Sequence, residues 1–253
     1  MQLHYRQYGA GEPLIILHGL FGTLDNWQTL ARQWAEDVMV YAVDQRNHGR
    51  SPHTDDFDYA LLAEDIRDFM EAQHMHRAHL LGHSMGGKAA MQFALEYPDR
   101  VDRLVVVDMG TRAYPGGHEA IFEALFGLDL EGIASRREAD AYLATRIPEA
   151  GIRQFLLKNL TRHKSGGYVW KANLPSLYDN YARILAPITG SPYEGPTLFI
   201  RGADSRYVQD ADLAELQQLF PNSRVATVAG AGHWVHAEQP AVVYQLVRDF
   251  LLE

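Results

Sequence analysis

The chain has 253 residues, 32 Asp and Glu against 23 Lys and Arg for a formal net charge of −9, and no cysteine. The missing thiol excludes disulfides, a thiolate nucleophile and cysteine-ligated zinc. The acidic balance argues against a nucleic-acid partner and against stable association with an anionic membrane surface. No basic stretch followed by an apolar one opens the sequence and no apolar run is long enough to span a bilayer, so a cytoplasmic location is expected.

A chain of this length buries a full core, and its order of elements can be read along it. Short apolar runs alternate with helix-period patterns, which predicts βα units around a largely parallel sheet. The runs at 14–17, 40–43, 78–81, 104–107, 197–200 and 224–228 are apolar almost without interruption, as strands covered by helices on both faces require. Between them Leu62, Ile66, Phe69 and Met70 share one helical face, and Ala90, Phe93, Ala94 and Tyr97 share another that Pro98 closes. Val243, Leu246, Val247 and Phe250 give a last amphipathic helix after Pro240.

One stretch breaks the rhythm. From 111 to 192 no strand is predicted, only helical patterns such as Ile152, Phe155, Leu156 and Leu160, and a second helix that Ser176 opens with Leu177, Tyr181 and Ile184 inside. The expected organisation is a core of residues 1–110 and 193–253 with a helical cap, 111–192, over the strand ends where ligands of open α/β sheets bind. Tyr114, Phe122, Phe126, Phe155 and Trp170 suggest an apolar lining for that cap.

The chemistry begins at Gly82-His83-Ser84-Met85-Gly86, directly after the third run. A serine between two such glycines is the pattern of a strand-to-helix turn that lifts the hydroxyl onto a helix N-terminus, where developing negative charge is favoured. A nucleophilic serine needs a base and an acid behind it, in that chain order serine, acid, histidine. His233, in the Gly230-Ala231-Gly232 loop after the last strand, is the expected base, with His236 a structural neighbour. The acid has more than one candidate. Three residues after Gly202 stands Ser205 rather than a carboxylate, and Asp204 comes one residue early. Asp108 follows the 104–107 run at the same sheet edge and is preferred, with Asp204 second and Ser205 as a neutral hydrogen-bond partner.

After the first strand, His18-Gly19-Leu20-Phe21-Gly22 can bring a backbone amide to the nucleophile. The expected oxyanion donors are the N–H groups of Leu20 and Met85, with Phe21 the alternative to Leu20. His18, Phe21, Tyr207 and Trp234 are expected to border the substrate, His18 also buttressing its loop. Arg46 and Asn47, in the turn after the second strand, could reach the pocket, although a structural turn is the preferred reading. Arg153, Lys158, Arg162, Lys164 and Lys171 form a basic row with no acidic residue from Arg153 to Lys171; a solvated helix face is slightly favoured over a site for an anionic substrate end.

Together these motifs resemble the α/β-hydrolase superfamily across essentially the whole chain, and most closely the YbfF-type esterases. The resemblance rests on His18-Gly19-Leu20-Phe21-Gly22, Leu24-Asp25-Asn26, Asp44 with Arg46-Asn47-His48-Gly49 and Ser51, and Gly82-His83-Ser84-Met85-Gly86-Gly87-Lys88. Arg201-Gly202, Ser205, Tyr207-Val208 and Gly232-His233-Trp234-Val235-His236 extend it. It implies an α/β-hydrolase fold, a mostly parallel doubly wound sheet with a helical cap inserted after the sixth strand. It also implies hydrolysis of small acyl esters, or of acyl-CoA thioesters, through an acyl-enzyme, with no cofactor or metal. That branch has serine at the usual acid position, which supports Asp108. A monomer or homodimer is expected. Two other readings of the same fold are a carbon–carbon hydrolase or lyase acting on a carboxylated small molecule and a non-catalytic small-ligand receptor.

Overall fold

The computed structural model describes all residues, Met1–Glu253. The chain enters through strands β1 (Tyr5–Tyr8) and β2 (Pro13–Leu17), helix α1 (Gln28–Trp34) and strand β3 (Met39–Val43). Helix α2 (Tyr59–Ala72), strand β4 (Ala78–His83), helix α3 (Met85–Glu96) and strand β5 (Val101–Val107) follow. These strands, with β8 and β9 below, form one seven-stranded sheet in the order β1-β3-β2-β4-β5-β8-β9, antiparallel at β1 and parallel elsewhere.

The segment between β5 and β8 holds helices α4 (Glu119–Phe126), α5 (Arg136–Ala144) and α6 (Ala150–Leu157), strands β6 (Leu160–Arg162) and β7 (Tyr168–Trp170), and helices α7 (Leu174–Asp179) and α8 (Tyr181–Ile184). The sheet resumes with β8 (Thr197–Gly202), α9 (Leu213–Leu219) and β9 (Ser223–Val228), and the chain ends in α10 (Val235–Glu238) and α11 (Pro240–Leu252).

Alternation along the strands divides the core. Ile15, Leu17, Leu80, Leu104 and Val106 pack with α2 and α3, whereas Leu14, Ile16, Leu81, Val105 and Val107 pack with α1 and α11. Side chains of a strand point to opposite faces in turn, so both faces of the sheet are covered. The first of these clusters runs without a break into Phe122, Leu125, Leu143, Leu156 and Leu177 of the inserted segment, which therefore shares the main core.

Four details differ from the sequence reading. The segment leaves the sheet after the fifth strand in chain order, not the sixth. It contains a hairpin, β6 paired with β7, and Leu160 opens that hairpin instead of extending α6. Ser176 lies inside α7, and Asn180 separates α7 from α8, so the single expected helix is two. Strand β1 was not expected, because Tyr5-Arg6-Gln7-Tyr8 carries no apolar run; as an antiparallel edge strand it needs none.

Candidate active site

The turn after β4 is shaped by close backbone contact. A Cβ on Gly82 would fall 2.1 Å from the Gly86 carbonyl oxygen, and one on Gly86 would fall 2.4 Å from that of Leu17. No side chain fits at either position. Ser84 between them has φ 55°, in the left-handed region that non-glycine residues enter at a cost of order 1–3 kcal/mol. Asp108 at φ 50° and Phe21 at φ 59°, at the same sheet edge, also have positive φ.

The structure brings three distant side chains into one line. His233 Nε2 is 3.0 Å from Ser84 Oγ, and His233 Nδ1 is 2.8 Å from Asp108 Oδ2. Asp108 is fully buried. Besides the imidazole, its carboxylate accepts the Gly202 amide at 3.1 Å and the Ser205 hydroxyl at 2.5 Å. Three donors thus compensate a charge removed from water. Ser205 thus bonds the carboxylate and not the imidazole, and the exposed Asp204, whose amide is bound to the Ala231 carbonyl, makes no hydrogen bond to His233. Gly202 also lets the histidine loop pass close, since a Cβ there would meet the Gly232 oxygen at 2.2 Å.

The imidazole is held on its other sides as well. Tyr207 stacks on His233 with ring centroids 3.8 Å apart and planes 16° from parallel, and His83 Nε2–H donates to the His233 carbonyl at 2.9 Å. Behind these lies a layer of buried imidazoles. Burial lowers His18 to about 4, His48 to about 3 and His236 to about 3, and pushes His83 well below the usual histidine range. His236 stacks on Trp27 at 4.2 Å, the structural place expected for it.

Of the two candidate amides in the first loop, that of Phe21 is already committed, donating to His48 Nε2 at 3.2 Å. Leu20 borders Ser84 with its amide uncommitted, and Met85, as the first residue of α3, has no intrahelical acceptor.

Two cavities meet at Ser84, and Leu20, Ser84, His118 and Tyr207 line both. One, about 280 Å³, is the more polar, with Tyr59, Lys88, Arg112 and Tyr114 in its wall. The other, about 180 Å³, is apolar, walled by Phe21, Ile121, Ile152, Phe155, Leu156 and Trp234.

A sequence model of the family described as alpha/beta hydrolase fold matches residues 12–124 and 133–240. The chain belongs to the α/β-hydrolase fold family. Esterase YbfF of Escherichia coli (strain K12) is 38% identical over 240 residues, 94% of this chain and 92% of that one. The sn-1-specific diacylglycerol lipase ABHD11 of Mus musculus is 40% identical over 247 residues, 94% of this chain and 80% of that one. Among solved structures, a marine microorganism esterase superposes with a TM-score of 0.97 at 41% identity, covering 98% of this chain and 99% of the other.

Within this α/β hydrolase, the expected substrate-bordering residues divide. Phe21, Tyr207 and Trp234 line a cavity. His18 does not: it is buried under the loop, its Nε2 accepting the Gln45 amide at 3.0 Å. Arg46 is likewise withdrawn into a buried ion pair with Asp65 at 2.6 and 2.9 Å. Asn47 instead binds Ser176 at 3.0 Å and Asn173 at 3.1 Å, tying its turn to α7. The basic row reaches neither cavity: Arg153 pairs with Asp140 at 2.9 Å and Lys171 approaches Asp25 at 4.0 Å.

Two wall residues escaped the sequence reading. Lys88, quoted only as part of the motif, is fully buried, and its ammonium donates to the carbonyls of Arg112 (2.9 Å) and Ala186. It thereby pins both ends of the inserted segment to α3. Burial, and then the Arg112 guanidinium, lower it to about 7. Its place one turn after Ser84 was a usable signal. His118 had none, because its surroundings come from residues 63 positions away.

Proposed function

We propose that the protein is a serine carboxylic-ester hydrolase that acts on small acyl esters through an acyl-enzyme. The observation that carries the reading is the imidazole bonded on one side to Ser84 Oγ and on the other to the buried Asp108. Relatives named esterase and lipase support the same class. Ser84 gives its proton to His233 Nε2 as Oγ attacks the acyl carbonyl. The Leu20 and Met85 amides receive the oxyanion. His233 then protonates the departing alkoxide, and in the second half it takes a proton from water, whose oxygen attacks the acyl-serine and releases the acid.

Asp108 keeps Nδ1 of His233 protonated and stabilises the imidazolium without itself taking the proton. Residues 111–192 act as a cap that sorts the two arms of the ester between the polar and apolar cavities. The test is labelling with a fluorophosphonate and rapid hydrolysis of p-nitrophenyl butyrate. Wild-type protein is expected to lose activity on labelling, with the adduct on the Ser84 peptide. A chain that neither labels nor hydrolyses any ester overturns the proposal and moves weight to the carbon–carbon hydrolase or receptor readings.

A further inference from the structure

His118 precedes α4 and stands on the wall common to both cavities. Its Nδ1 lies 2.7 Å from the Tyr181 hydroxyl, whose oxygen also accepts the His118 backbone amide at 3.0 Å. Tyr181 is buried, so leaving its hydroxyl hydrogen without an acceptor would be costly. Nδ1 is the acceptor in reach, and the hydroxyl donates to it. A neutral imidazole whose Nδ1 accepts carries its hydrogen on Nε2. Burial, and then the nearby His233, hold His118 below the usual histidine range, so the neutral ring is the form present at pH 7.

Nε2 is not among the buried polar atoms and has no protein partner. Its N–H is therefore a fixed donor offered to the cavity. Several neighbouring polar groups are already spent. The Tyr59 hydroxyl donates to the Ile184 carbonyl at 2.6 Å, that of Tyr114 to the Tyr207 carbonyl at 2.7 Å, and Arg112 pairs with Asp212 at 3.0 Å. Lys88 is taken up by backbone carbonyls. The two oxyanion amides serve the scissile carbonyl itself.

We propose that His118 is a specificity-determining residue that favours esters with a second, neutral oxygen acceptor near the scissile carbonyl, held by its Nε2–H across from Ser84. The inference rests on the ester-hydrolase reading above. An ether, hydroxyl or second ester oxygen would satisfy the donor, whereas an all-carbon arm would bury it unpaired. A site built to hydrogen-bond a substrate oxygen discriminates against the analogue lacking it.

The experiment compares kcat/KM of the full chain on three matched esters. Butyl butyrate is the parent, 2-methoxyethyl butyrate places an ether oxygen in the alcohol arm, and butyl methoxyacetate places one in the acyl arm. In His118→Leu, at least one oxygenated ester is expected to lose about five- to tenfold more than the parent, chiefly through KM. Tyr181→Phe frees the ring to protonate either nitrogen, so a shift in the same direction of roughly two- to threefold is expected. Should His118→Leu fail to fold, Tyr181→Phe carries the same comparison. Losses equal within about twofold on all three esters in His118→Leu, or no measurable difference among the three in Tyr181→Phe, overturn the proposal. Fluorophosphonate labelling of the wild type separates the two levels. A labelled enzyme without oxygen selectivity sinks the role of His118 alone, and an unlabelled one sinks the ester-hydrolase reading first.

Discussion

At the carboxyl edge of the sheet, position is set by backbone: Ser84, Asp108 and Phe21 are held at positive φ, and Gly82, Gly86 and Gly202 leave no room for a Cβ. In the segment between β5 and β8 it is set by side chains, through Lys88 on two carbonyls, Asn47 on Ser176, and Asn159 on the Phe21 carbonyl. The first construction tolerates almost no variation at its turns. The second can change its lining while its anchors stay. Under the proposed function this becomes a division of labour, in which the sheet edge is to supply reactivity to every substrate and the inserted segment is to select among them.

The sharpest way to break that division is at the nucleophile. Ser84→Ala is expected to lower turnover by roughly 10⁶ on every ester alike. Steady-state kinetics on p-nitrophenyl acetate, butyrate and octanoate check it; retention of most activity on any one of them removes Ser84 from its role. Next in size is the acid. Asp108→Asn keeps the shape of the side chain but favours the wrong imidazole tautomer, which costs about 10⁴ in kcat. Asp204→Asn, with its side chain away from His233, is expected to stay within about twofold of wild type, the scale of an unremarkable surface change. Equal losses in the two variants would contradict the geometry.

How far these residues could be read beforehand follows the same division. Runs such as 14–17 and 104–107 are unbroken because their strands are buried on both faces, and the glycine spacing about Ser84 is a local steric necessity. Both lie in neighbouring residues. Asp108 could be ranked above Asp204 but not separated from it, because the decision rests on which carboxylate the Gly202 amide and Ser205 hydroxyl meet in space. The choice between Leu20 and Phe21 needed His48, 27 positions from Phe21, to occupy one amide. In the inserted segment little was legible beyond helical period. Strands β6 and β7 are three residues each, too short for a pattern, and the pairing of His118 with Tyr181 has no spacing rule.

A third expectation concerns the layer beneath the sheet edge. His18, His48 and His236 are buried neutral, lowered to about 4, 3 and 3 by burial. Their unfolded-state value is about 6.5. Between that value and about 4 the unfolded chain takes up protons that the folded one refuses, so stability falls as pH falls. Each costs about 1.4 kcal/mol per pH unit, and the three together remove about 4 kcal/mol between pH 7 and pH 5.5. Urea unfolding at a series of pH values reads this directly. A midpoint flat from pH 7 to pH 5 would show that these rings are not held neutral.

The smallest effect is the one that tests the inserted segment against the sheet edge. Phe155 lines the apolar cavity and faces Trp234 at a centroid distance of 6.1 Å, and it makes no hydrogen bond to the Asp108–His233–Ser84 line. Phe155→Ala enlarges that arm without touching a proton-transfer group, so longer acyl chains gain space and short ones lose contact. One methylene in an apolar pocket is worth about 10-fold or more in discrimination. A change of about tenfold in the octanoate-to-acetate ratio of kcat/KM is therefore expected in favour of octanoate. The ratio is the decisive quantity because a change at Ser84 or Asp108 divides out of it. If Phe155→Ala lowers all chain lengths by one factor, the segment supports the catalytic line instead of sorting substrates. A moved ratio with unchanged labelling at Ser84 assigns chain-length selection to the apolar wall.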